Sequence, residues 1–82
     1  MSERQILKGR LFELDAQIKD MTRRMRSLCE RVGVCVNPLI HDNLADMPVA
    51  EAASLMDDLV VLQAELLAVQ SKAEAIKKEL YG

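Results

Sequence analysis

The 82 residues predict an all-α fold: an antiparallel two-helix coiled-coil hairpin with a long packed connection, dimerising into a four-helix bundle. Three observations carry that expectation. Apolar residues at Leu7, Leu11, Leu14, Ile18, Met21, Met25, Leu28 and Val32 alternate in steps of four and three, the seam of a coiled coil. A second seam runs through Ala52, Leu55, Leu59, Leu62, Leu66, Val69, Ala73, Ile76 and Leu80, with no proline or glycine inside it. Half of the residues are apolar while Phe12 and Tyr81 are the only aromatics, so the core must be aliphatic, as in helical bundles.

The first helix is expected over about residues 3–32. Ser2 and Gln5 have the spacing of a capping box, in which serine and glutamine side chains satisfy orphan amides at the helix start. Gly33 follows the last seam residue and suits a left-handed helix stop, and Arg31 complements the negative end of the helix dipole. Such a helix is roughly 45 Å long at about 1.5 Å per residue. Gly9 falls inside it, opposite the seam, where it costs about 1 kcal/mol relative to alanine without disturbing packing.

Residues 33–46 form the connection, long for a bundle and rich in apolar side chains: Val34, Val36, Leu39, Ile40 and Leu44. A segment of this composition is expected to pack. Asn37 before Pro38 reads as a cap and first turn, so a short helical turn from Pro38 to Asn43 would lay Leu39, Ile40 and Leu44 over the open end of the hairpin. The second helix is expected over about residues 47–81, opening near Asp46 as cap, with Pro48 in the first turn and Glu51 close behind. The whole chain, 1–82, is read as one domain.

A formal charge of −2 implies neither a polyanionic partner nor an acidic tail, but it conceals a division along the chain. Residues 1–33 hold eight Lys or Arg against five acids, and residues 34–82 hold three Lys against eight acids. An antiparallel hairpin would set Arg23, Arg24, Arg26 and Arg31 beside Glu51, Asp57 and Asp58, and Arg4 and Lys8 opposite Glu74 and Glu79. Exposed pairs of this kind contribute about 0–1 kcal/mol each and select register more than they stabilise.

Several function classes are set aside. The charged start, with Glu3, Arg4, Lys8 and Arg10, is not expected to be a secretory signal, and the aliphatic run Leu59–Leu62 is far short of the roughly 20 residues a membrane span needs. A cytoplasmic protein with reduced thiols at Cys29 and Cys35 is therefore expected. Catalysis has little to stand on: there is no glycine-rich phosphate loop, nucleophile elbow or Glu-x-x-His spacing, and Asp57 and Asp58 point about 100° apart on a helix. The expectation is a protein that is not an enzyme and holds no cofactor.

What remains is association. Met56, Val60 and Leu67 form an apolar stripe beyond the second seam, and Ile6 and Phe12 lie off the first, more apolar surface than one partner helix covers. These five residues are the candidate interface, for a second copy of the chain or for another protein through an apolar groove. Arg23, Arg24, Arg26 and Arg31 are the candidate phosphate contacts of the alternative reading, a dimeric nucleic-acid-associated protein. Cys29, Cys35 and His41, evenly spaced and followed by Asp42, lack the closely spaced ligand pairs of zinc sites. They are read as two buried thiols and a surface or capping histidine, with no metal assigned.

Overall fold

The computed structural model describes residues 2–82 and contains α1 (Glu3–Val36), a 3₁₀ turn (Leu44–Asp46) and α2 (Val49–Tyr81), with no strand among the described residues. The helices pack antiparallel into a rod 62 × 19 × 16 Å with a radius of gyration of 18.5 Å. A compact domain of this length would have a radius near 12 Å, so the molecule is a bare hairpin and not a globule.

α1 begins with the capping box read from the sequence. The Gln5 amide donates to Ser2 Oγ at 3.2 Å and the Ser2 amide donates to Gln5 Oε1 at 3.3 Å. Its far end departs from expectation. Gly33 does not stop the helix, which continues to Val36 and ends at Asn37 in extended backbone (φ −78, ψ 110). Two forces explain the extension. Cys35 continues the seam three residues after Val32 and is buried, 6% exposed, against Ala52 and Leu55. Pro38 then excludes the residue before it from helical backbone, so Asn37 is where the helix must end.

α2 also starts later than the sequence suggested. Pro48 bars Met47 from helical backbone for the same reason, and Met47 is extended (φ −60, ψ 129). Asp46 therefore cannot cap α2; it ends the 3₁₀ turn, whose own cap is Asn43, with Oδ1 accepting from the Ala45 amide at 3.1 Å. Pro48 is the residue preceding α2, and its carbonyl accepts from the Ala52 amide at 3.1 Å. Glu51 sits in the first turn as expected.

Both seams face one another. All eight seam residues of α1 are half-buried, whereas in α2 Ala52, Leu55, Leu62, Ala73 and Leu80 are buried and the others half-buried. The cause is geometric: one helix covers only a strip of its neighbour. The connection differs most from expectation, because it does not pack over the hairpin. Leu39 is 91% exposed, and Ile40, Leu44, Val34 and Val36 are also exposed. The segment is shaped by polar groups instead. Asn37 Oδ1 accepts from the Leu39 amide at 3.0 Å, the Ile40 amide reaches the Asn37 carbonyl at 3.3 Å, and His41 Nε2 donates to the Val34 carbonyl at 2.9 Å in the last turn of α1.

Candidate functional site

α2 has two unlike sides flanking its seam. On one, Asp58 and Glu65 share a groove with Arg24, Ser27 and Arg31 of α1. Val60 and Leu67 follow those two acids by two positions, about 200° further round the helix, and so lie on the opposite side. There they continue a stripe that starts at Val49 and runs through Ala53 and Met56, at intervals of four, three, four and seven residues. Every member is exposed, and no charged residue falls at these positions from Val49 to Leu67.

Ile6 and Phe12, the candidate positions on α1, are exposed as well, Phe12 at 77%. They stand apart from the stripe, since both belong to the terminal half of α1 while the stripe occupies the half of α2 that begins at the connection. The connection's Val34, Val36, Leu39, Ile40 and Leu44, expected to be covered, are exposed instead, and Val49, not singled out by the sequence, joins them. The heptad spacing from Val49 to Met56 was the available signal for the stripe's true start. Among the described residues, ten of the thirteen exposed large hydrophobics lie between Val34 and Leu67, so the exposed apolar surface is concentrated at one end.

The charges do not pair as expected. The single ion pair among the described residues is Lys77 to Glu74 at 3.6 Å, within α2. Arg24 and Arg31 share a groove with Asp58 and Glu65 yet stay beyond ion-pair distance. Lys8 has no acidic partner, and Arg4 donates instead to the Leu80 carbonyl at 3.0 Å, with its guanidinium 5.9 Å from the Tyr81 ring centre. Arg23, Arg24, Arg26 and Arg31 are all exposed, but they divide between two sides of α1: Arg24 and Arg31, seven residues apart, share a groove with α2, while Arg23 and Arg26, three apart, neighbour each other away from it.

The thiols divide too. Cys35 is buried, whereas Cys29 is exposed, which corrects the expectation of two buried thiols; both are free. His41 caps α1 through its bond to Val34, and no three His, Cys, Asp or Glu side chains among the described residues gather closely enough to hold a metal ion. No helix of the described residues is long and apolar enough to cross a membrane. In comparison with known proteins, the chain matches no family model, no curated protein and no solved structure.

Proposed function

We propose that this chain is a small non-enzymatic protein–protein interaction module, an adaptor, regulator or inhibitor acting through helical packing surfaces, and that its first partner is a second copy, with which it forms a four-helix bundle. The observation that carries the reading is the uncharged stripe Val49, Ala53, Met56, Val60 and Leu67, exposed on a helix whose other side is already seated on α1. Area supports it. The hairpin has 6240 Å² of accessible surface. A compact monomer of the same mass would have about 4,900 Å². The excess, about 1,300 Å², exceeds the roughly 800 Å² per partner that a standard interface buries. A cytoplasmic location belongs to the same proposal, since an exposed free thiol such as Cys29 fits a reducing compartment.

Sedimentation equilibrium at micromolar concentration tests the reading. The wild-type chain is expected at twice its 9.2 kDa, and the double variant Met56→Asp, Val60→Asp at one copy with its helicity intact. A wild-type monomer that melts cooperatively would remove the dimer. The second reading, contact with nucleic acid, is favoured by one observation: none of the four arginines has an ion-pair partner among the described residues. It requires duplex binding that weakens steeply with salt and is lost on replacing Arg23, Arg24 and Arg26 by alanine. No mobility shift at low salt would end it.

A further inference from the structure

We propose that the second copy docks side by side and loop end to loop end, the two-fold axis running along the rod, so that α1 of each copy lies over α2 of its partner and seats Met56, Val60 and Leu67 against Gly33, Cys29 and Thr22. This rests on the dimer proposed above and specifies its arrangement.

The hairpin supplies the register. Cys35 clusters with Leu55, Leu28 shares a groove with Leu62, and Leu14 shares one with Ile76, so each step toward the connection on α1 is matched by one step toward it on α2. A copy aligned on the same axial level inherits that register. Gly33, Cys29 and Thr22 then fall within one residue of the levels of Met56, Val60 and Leu67, because both sets are spaced by four and seven residues in opposite directions. Met56, Val60 and Leu67 thus meet small residues, which lets the helices approach closely there, while Arg26, between Cys29 and Thr22 on the same face, falls at the level of the uncharged Gln63. Gly33 is helical, and nothing lies within 4 Å of where a Cβ would stand, so its bare backbone is open to a visitor. Cys29 is exposed and Thr22 is half-buried beside it on the same side of α1.

Charge argues the same way. α1 holds eight basic residues against five acidic ones, and α2 holds three against six, net +3 and −3. A two-fold along the rod places α1 over the partner's α2, positive against negative. A two-fold across the rod would lay α1 on α1 and α2 on α2, like against like. With full overlap it would also set the midpoint of α2 against itself, bringing Met56 opposite the partner's Glu74 and the apolar loop end beside the charged termini. Only the aligned pair brings Leu39, Ile40 and Leu44 of both copies to one end, where each can cover the other.

A nitroxide on Asp42→Cys, in a chain carrying Cys29→Ser and retaining the buried Cys35, reads the arrangement by pulsed dipolar spectroscopy. The aligned dimer gives an intermolecular distance well under half of the 62 Å rod, and a distance beyond half of it overturns the proposal while leaving a dimer in place. A wild-type chain that sediments as a monomer overturns the dimer and this arrangement together. Gly33→Leu supplies an independent check, since it improves helix propensity and its added Cβ stands in open space, with nothing of the hairpin within 4 Å. It should abolish the dimer with helicity kept, and should raise the maleimide reactivity of Cys29 about tenfold at concentrations where the wild type is mostly dimeric. A Gly33→Leu dimer as tight as wild type would reject the seating of Met56 on that glycine.

Discussion

The two ends of the rod are held together differently. At the loop end, apolar burial does the work: Cys35, Ala52 and Leu55 form a buried cluster with Leu28 and Val32 packed against it, while the surrounding valines and leucines remain outside. At the terminal end, Ala73 and Leu80 are buried, the Ser2–Gln5 capping box secures the start of α1, and Arg4 ties it to α2 through its bond to the Leu80 carbonyl and its guanidinium over Tyr81. The loop end thus has far more apolar surface than it can bury, whereas of the large hydrophobics only Ile6, Phe12 and Tyr81 are exposed toward the termini among the described residues. The difference teaches where association should begin. Surface that a hairpin cannot cover alone is a free-energy reservoir for whatever docks on it, and here that reservoir lies at one end.

Substitutions can break this contrast. The largest effect is expected from Leu55→Ala, which removes a side chain only 5% exposed from the centre of the loop-end cluster. Its cost should be about 2–5 kcal/mol, enough to unfold so small a hairpin, and a thermal melt followed by circular dichroism checks it. An unchanged midpoint would mean that the cluster does not hold the loop end. At the other end, Ser2→Ala should cost about 1 kcal/mol by removing the Oγ that accepts from the Gln5 amide, seen as faster hydrogen exchange over the first turn of α1 with the loop end unaffected. The smallest effect should follow Arg4→Ala, about 0.5–1 kcal/mol, with exchange accelerating near Leu80 and Tyr81. If protection near Cys35 fell as much as at the termini in either variant, the two ends would not be separable and the contrast would be wrong.

Much of the fold was legible in the residues. The two seams read as stripes became the two facing surfaces, and the capping box formed as its spacing required. Both helix boundaries at the connection were missed for one reason: Gly33 permits a left-handed stop but does not compel one, whereas Pro38 and Pro48 compel an extended residue before each of them. The burial of Cys35 then favoured one more turn of helix over an early stop. The exposed stripe was half visible. Met56, Val60 and Leu67 stand out by spacing, but the connection's apolar residues imply an interior that one layer of two helices does not have, and Val49 is not singled out by the seams.

The order of residues alone dictated that there would be two rods, antiparallel, meeting along heptad ridges, because periodicity and the positions of glycine and proline act through local geometry that every chain shares. Which apolar groups stay wet, where charges miss each other and which thiol is open depended on how the rods sit together. A ridge in the sequence names a surface, but its cover is a property of neighbours in space. Arg24 and Asp58 carry opposite charges on either side of one groove and form no ion pair, because their meeting depends on helix placement and side-chain rotamers that no residue pattern encodes.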